Sequence, residues 1–389
     1  MGILKKGMRF VGPVVLPKVS QHRKLLDTYT HYFQDESVVE NTVLYESRDG
    51  KSLTDSPFAI FQYLLKTDKE GTYTHIWTVT NGEELEKVKA MYRDDSRVLF
   101  VKRNSDEYLK WLTKAQYLIN NSTFQPFVTI KDEQTYINTW HGTPLKTMGF
   151  DIPGNPANAR NVVRNFFMAD YLISPNQHTT EMFLKNYRLN DNYTGKIIET
   201  GYPRIDQTWS KDRDGVLKLL FSFGVTLDLS KPIILYSPTC KMGDLAGISD
   251  EVKQIQEEMS VIRDRFGKEY NVLIKVHPFL YDKAKTNVDL KPYLIPDIVD
   301  TNQLLGVVDC LITDYSSIFF DFLVTDKPIL FYCWDDDLYS HKRGKYFEYD
   351  ELPGPVAFNI EELSQHIEQL TELSQSYAAN YKAFKERFT

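Results

Sequence analysis

The chain has 389 residues, 42% of them hydrophobic and 25% charged, which is too long for one ordinary core and suits two domains of usual size. A formal charge of −7 and a pI near 5.7 leave no overall basic field for phosphate backbones and so exclude a nucleic-acid-binding protein. The cysteines (Cys240, Cys310, Cys333) are scattered without a CxxC pair, which excludes a disulfide framework or a zinc ribbon and fits a reducing compartment.

In chain order, the first segment is basic and apolar. Lys5, Lys6, Arg9, Lys18, Arg23 and Lys24 precede the first acid, Asp27, with Ile3, Leu4, Met8, Phe10, Val14, Val15 and Leu16 among them. On an acidic protein this fits contact with an anionic membrane surface. It fits equally a solvated start to the first helix, and Pro13 and Pro17 rule out one continuous amphipathic helix. The segment lacks the apolar core and cleavage site of a signal peptide. No run approaches the roughly 20 apolar residues that span a bilayer, so the expected location is cytoplasmic.

Short β-branched or aromatic runs then recur, each followed by a turn signal and a helical pattern. They predict strands at 42–47, 75–79, 98–101, 116–120, 135–140, 171–174 and 197–200, and again at 233–237, 272–276, 297–300, 310–313 and 329–333. Between them, stretches such as 251–266 place Val252, Ile255, Met259 and Ile262 at helical spacing. Alternating elements imply an α/β fold with parallel sheets and right-handed crossovers. The strands are too many for one open sheet of usual width, and the charged stretch 206–218 is a natural seam. The expected architecture is two doubly wound, Rossmann-like domains, 1–205 and 206–370, facing across a cleft. Residues 371–389, the end of a helix predicted from Ile360 to about Phe388, pack back on them.

In such folds ligands sit beyond the carboxyl ends of the strands, so polar residues there carry most weight. His141 follows "TYINTW" and precedes the tight turn Gly142–Thr143–Pro144; His277 follows "VLIKV". One histidine at a strand end more often satisfies a backbone group than serves a substrate, whereas two in opposite halves favour function. "TDYSSIFFDFL" follows "CLI", with Ser316 and Ser317 opening an apolar helix. A serine there caps free N–H groups, and the same donors with the helix dipole make an anion site. A simple cap leaves the second serine and Asp314 without a task.

The chain lacks GxxxxGK[ST], which excludes a P-loop triphosphatase, and lacks GxGxxG after a strand, which disfavours a nicotinamide enzyme. No HExxH occurs, and His141, His178 and His277 lack close ligand spacing. "WDDD" (334–337) reads as a solvated acidic face rather than a cation site. The site is therefore expected to work without metal, neutralising phosphate with hydroxyls, histidine and cations. Arg160, Arg164, Arg204, Lys275, Lys342 and Arg343 are available for that.

Taken together, "WHGTPLKTMG", "DYLISPN", "TGYPRID", "ILYSPT", "KVHP", "TDYSSIFFDFL", "PILFY" and "RGKYFEYDELPGP", in that order across roughly residues 115–360, resemble the CDP-glycerol glycerophosphotransferases of wall teichoic acid synthesis. The resemblance implies a GT-B-like fold with an N-terminal acceptor domain and a C-terminal nucleotide domain. It implies transfer of glycerol phosphate from CDP-glycerol, as donor substrate and with no cofactor, to a hydroxyl of an undecaprenyl-diphosphate-linked saccharide, releasing CMP. His141 matches the family's base and His277 its diphosphate-binding histidine. Ser316 and Ser317 match the phosphate-binding pair, with Thr239, Asp314 and Arg343 as further donor contacts and Gly142 and Thr143 as the turn that admits substrate. A lipid-linked acceptor makes the basic N-terminus a candidate peripheral membrane contact on the inner face of the cell membrane. After "YSPT" the chain departs from the pattern at "CKMGD" (240–244), which leaves the polyol open. CDP-ribitol or a capsule-type polymer is the nearest rival. A sugar-nucleotide glycosyltransferase or epimerase of the same fold is a rival of another class, and a scaffold that retains the cleft without catalysis is a third. Polymerising relatives carry a longer N-terminal region, so the chain reads as a compact member. The number of units added and the oligomeric state stay open.

Overall fold

The computed structural model describes residues 20–145, 147–152, 156–190, 192–209, 212–240, 245–335 and 347–389. Its strands form two all-parallel sheets. The first is seven-stranded: β1 (Val39–Glu46), β2 (Thr74–Val79), β3 (Val98–Lys102), β4 (Ala115–Asn120), β5 (Thr135–Asn138), β6 (Tyr171–Ser174) and β7 (Lys196–Glu199), in the order β3-β2-β1-β4-β5-β6-β7. The second is five-stranded: β8 (Ile233–Ser237), β9 (Asn271–Ile274), β10 (Cys310–Thr313), β11 (Ile329–Tyr332) and β12 (Val356–Ala357), in the order β12-β11-β10-β8-β9.

Each sheet is covered by helices on both faces, which is why its strands read as apolar runs rather than alternating ones. Along β1, Leu44 enters one core while Val43 and Tyr45 enter the core on the opposite face. Along β8, Ile233 and Leu235 face one core, Ile234 and Tyr236 the other, as the two-residue period of a strand requires. The strand order reverses between β1 and β4 in the first sheet and between β8 and β10 in the second. These reversals are where crossover helices leave in opposite directions and open a crevice at the strand ends.

The structure corrects several expectations. Residues 297–300 form a turn rather than a strand, because Asp300 serves as N-cap of helix Thr301–Leu305, accepting from Asn302 N and Gln303 N at 2.9 and 3.0 Å. β5 stops at Asn138 and β9 at Ile274, short of the predicted ends. The two-residue β12 was missed, being too short for a periodic signal. The single C-terminal helix is three, Ile360–Glu368, Leu370–Ser376 and Ala378–Phe388. Leu363 and Ile367 pack on one face of the five-stranded sheet and Phe384 and Phe388 on the other, so the chain must turn between them. The last helix also touches the seven-stranded half, where Asn176 Nδ2 donates to Phe388 O at 3.0 Å. Of the basic N-terminal residues, Lys5, Lys6, Arg9 and Lys18 lie outside the described residues. Arg23 belongs to helix Gln21–Asp35 and pairs with Asp27 at 3.2 Å.

Candidate functional site

A cavity of about 270 Å³ lies where the carboxyl ends of the two sheets meet. His141, Asp55, Arg48 and Arg204 line it from the seven-stranded side, and Thr239, Lys275, His277, Ser316 and Ser317 from the five-stranded side. Strand-end loops supply most of them: β1 runs into Arg48, β5 into His141, β8 into Thr239, β9 into His277 and β10 into Ser316.

His141 is placed by a strained turn. Trp140 before it takes φ +52°, a left-handed conformation costly for a bulky residue and characteristic of functional turns. The buried indole packs against the imidazole with ring centroids 4.0 Å apart. His141 Nδ1 lies 2.8 Å from Asn121 O. A carbonyl can only accept, so Nδ1 carries the proton and Nε2 keeps its lone pair. The ring opens onto the cleft, but protein packed around its remaining sides lowers its pKa, and Arg204 adds to that effect while the Asn121 carbonyl and Asp55 oppose it. The neutral form, ready to accept a proton, is favoured.

His277 has the opposite arrangement. It is the N-cap of helix Pro278–Ala284, and its Nδ1 accepts from Phe279 N at 3.3 Å. That bond needs the Nδ1 lone pair, so Nε2 carries the hydrogen and can donate to an anion. One imidazole is set to accept a proton and the other to donate a hydrogen bond.

Asp314, the residue after β10, is buried and organises the wall on the five-stranded side. Its carboxylate accepts from Thr239 N at 2.9 and 3.1 Å and from Thr239 Oγ1 at 2.5 Å. The Ser316–Ser317 turn follows. The helix it opens, Ile318–Phe322, is only five residues, and Ser317 makes no side-chain cap bond; Ser316 Oγ accepts from Ile318 N at 3.4 Å. Of the expected caps the structure shows the one from Ser316, the helix behind it is short, and both serines line the cavity. Gly142 meets this turn directly. A Cβ there would lie 2.8 Å from Ser317 Oγ, so the two turns approach as closely as a glycine allows.

Further charges surround the cavity, among them Arg204 and Lys275 from the cations that the sequence offered. Arg48 binds Asp297 in bidentate fashion, at 3.0 and 2.7 Å. Burial opposes ionisation of Asp297, but Arg48 and Lys275 hold its pKa below the usual carboxylate range. Lys275 is buried, donating to Pro296 O and Val299 O at 3.3 and 3.0 Å. Desolvation brings its pKa down to about 8 although Asp297 and Asp300 oppose the fall. Arg204 sits between Asp55 and Asp321. Burial works against its charge, yet the two carboxylates raise its pKa. Burial pushes up Asp321, whereas Arg204, the Ser56 amide and Asn121 overcome burial at Asp55 and lower it.

The structure therefore gathers His141, Gly142, Thr239, His277, Asp314, Ser316 and Ser317 around one cleft. Thr143 points away from it: the side chain is buried and its Oγ1 accepts from Asn176 Nδ2 at 3.3 Å. Lys342 and Arg343 lie outside the described residues, as do Asp336 and Asp337 of the acidic run. Arg164 is tied to Val128 O and Gln125 O within the seven-stranded half. Arg48, Asp55, Asn121, Asp297 and Asp300 were missed: Arg48 and Asn121 carried the signal of a position just past a predicted strand, whereas Asp297 and Asp300 fell inside a predicted strand and Asp55 had no local signal.

Residues 28–389 match the family described as CDP-Glycerol:Poly(glycerophosphate) glycerophosphotransferase. A teichoic acid poly(glycerol phosphate) polymerase of Staphylococcus epidermidis is 30% identical over 99% of this chain and 53% of its own length. A teichoic acid glycerol-phosphate transferase of Staphylococcus aureus is 28% identical over 90% of this chain and 89% of its own. Among solved structures, the wall teichoic acid polymerase TagF soaked with CDPG superposes with a TM-score of 0.76 at 29% identity, covering 99% of this chain and 92% of that one. This likeness supports the GT-B-like, α/β architecture expected from the sequence. The chain spans about half the length of the polymerases of S. epidermidis and Bacillus subtilis that it matches, at 53% and 51%.

Proposed function

The chain belongs to the CDP-glycerol:poly(glycerophosphate) glycerophosphotransferase family, and from that premise we propose that it transfers glycerol phosphate from CDP-glycerol to a hydroxyl of a polyprenyl-diphosphate-linked teichoic acid acceptor. The acceptor oxygen attacks the glycerol-bearing phosphorus in line. A new P–O bond forms, the bond to the bridging oxygen breaks, and CMP leaves with that oxygen. His141 Nε2 takes the acceptor proton, a role for which its lone pair and lowered pKa suit it. His277 Nε2–H, with the Ser316 and Ser317 hydroxyls, holds the diphosphate. Arg48 and Lys275 supply positive charge at the cavity wall without need of a metal.

The observation that carries this reading is the pairing of two imidazoles with opposite hydrogen-bond polarity on opposite walls of one cavity. In this scheme the seven-stranded half holds acceptor and the five-stranded half holds donor. The relatives named as teichoic acid enzymes support the acceptor class, and the structure soaked with CDPG supports the donor. No helix among the described residues is long and apolar enough to cross a membrane. We take the enzyme to meet its lipid-linked acceptor from the cytoplasmic membrane surface, through the basic residues ahead of helix Gln21–Asp35.

The test is CMP release from CDP-glycerol with a short-chain lipid disaccharide acceptor. Acceptor-dependent release supports the proposal. Reaction with CDP-ribitol alone would keep the chemistry and change the donor. Release of UDP from a sugar nucleotide, with both CDP-polyols inert, would refute the proposal.

A further inference from the structure

Catalysis by His141 on a donor held at Ser316–Ser317 needs residues from two separate sheets to meet in register, and displacement by about 1 Å can cost on the order of 100-fold in rate. Leu145, four residues after His141, anchors that loop in the core of the five-stranded half. A second tie lies on the near side of the base. Arg204, in the loop after β7, is 6% exposed and lies over the Tyr202 ring, its guanidinium carbon 4.7 Å from the centroid. Its Nη1 donates to both oxygens of Asp55, at 3.1 and 3.2 Å. Its Nη2 donates to Asp321 Oδ1 at 3.1 Å, and its Nε lies 2.8 Å from Asp321 Oδ2. Asp55 belongs to the seven-stranded half, Asp321 to the helix that continues from Ser316–Ser317.

The clasp reaches the base through Asn121. Asn121 Nδ2 donates to Asp55 Oδ2 at 2.8 Å, and Asn121 O is the acceptor of His141 Nδ1–H. The two turns converge at Gly142, where a Cβ would lie 2.8 Å from Ser317 Oγ and 3.7 Å from Arg204 Nη2. A buried charge cluster of this kind adds little net stability compared with apolar packing, so geometry is the better reason for its presence. We infer that Arg204 is a positioning residue for the transfer reaction proposed above, its planar fork setting the register between the His141 turn and the Ser316–Ser317 turn by holding Asp55 and Asp321 together. Lysine, a point donor, cannot engage both carboxylates in that plane.

The experiment compares wild type, Arg204→Lys and Arg204→Met by CMP release at saturating CDP-glycerol and acceptor, by the pH profile of kcat/KM, and by amide hydrogen exchange. Both variants are expected to lose on the order of 100-fold in kcat with the CDP-glycerol KM within about twofold of wild type. The charged groups facing His141 are Asp55, which raises its pKa, and Arg204, which lowers it. The acid limb should therefore move to higher pH in Arg204→Met and stay in place in Arg204→Lys. Exchange should quicken in segments 53–61 and 318–323 of Arg204→Met and stay unchanged in β2. Arg204→Lys above about half the wild-type kcat, or a loss confined to KM, would overturn the inference. Wild type inert toward every CDP-polyol would refute the transfer reaction instead. Exchange then decides the clasp by itself, and unchanged protection in both segments would overturn it.

Discussion

Replacing each histidine in turn separates base from anion holder. In His141→Ala the enzyme loses the Nε2 lone pair at the acceptor wall. A positioned general base contributes about 10²–10⁴-fold, so the barrier should rise by about 2.7–5.4 kcal/mol at 1.36 kcal/mol per decade. The fold loses much less. The one hydrogen bond that the substitution removes, Nδ1–H to Asn121 O at 2.8 Å, is worth about 1 kcal/mol. Activity should collapse while the unfolding midpoint moves by a few degrees. Because the base must be unprotonated, kcat/KM rises with pH through the folded pKa of His141. Desolvation by the protein around the ring holds that pKa below 6.5, so the acid limb of the wild-type profile should lie below pH 6.5. His277→Ala removes a hydrogen-bond donor to the diphosphate, so it should slow the reaction and weaken CDP-glycerol binding while keeping that limb. Initial rates of CMP release across pH for the three proteins provide the assay. An acid limb that survives in His141→Ala and vanishes in His277→Ala would refute the assignment drawn from the two Nδ1 contacts.

Asp314→Ala removes the carboxylate that fixes Thr239 N and Oγ1. Hydrogen bonds to a charged group are worth about 1.5–3 kcal/mol each, so urea unfolding should show a loss of about 3–6 kcal/mol for the two, and the CDP-glycerol KM should rise. Unchanged values of both would mean that Thr239 is held by other means. Remote from the cleft, His75 is fully buried beside Tyr45 Oη at 3.0 Å, and burial lowers its pKa from 6.5 to about 4. Between those values the unfolded chain binds the extra proton, so stability falls as pH drops from 6.5 toward 4. The loss from this group reaches about 2.5 kcal/mol at pH 4.5. His75→Phe should flatten that part of the stability profile measured by urea unfolding, and an unchanged slope would sink the argument.

Much of this was legible in the residues. Parallel strands buried on both faces leave continuous β-branched and aromatic runs, and such runs located eleven of the twelve strands among the described residues. His141, His277 and the Ser316–Ser317 pair stood out because a doubly wound fold directs attention to residues just past its strands. Less could be read where a short segment answers to tertiary demand. Residues 297–300 look like a strand, but Asp300 is taken as a helix cap that also accepts from Asp55 N at 2.7 Å. The C-terminal segment has helical spacing throughout, yet it must pack on two faces of one sheet and breaks to do so.

The amino-acid sequence by itself determined the α/β class and which motifs lie at strand ends, because hydrophobic period and turn chemistry are local properties. Only the tertiary structure decided which nitrogen of His141 is engaged, since Asn121 O approaches it from another strand end, whereas the His277 contact is a local helix cap. It alone brought Asp55, Arg204 and Asp321 into one cluster, with Arg204 and Asp55 separated by 149 residues and Arg204 and Asp321 by 117. Ion pairs between distant loops have no periodicity and no local propensity. They exist only once two sheets have packed their carboxyl ends against one another.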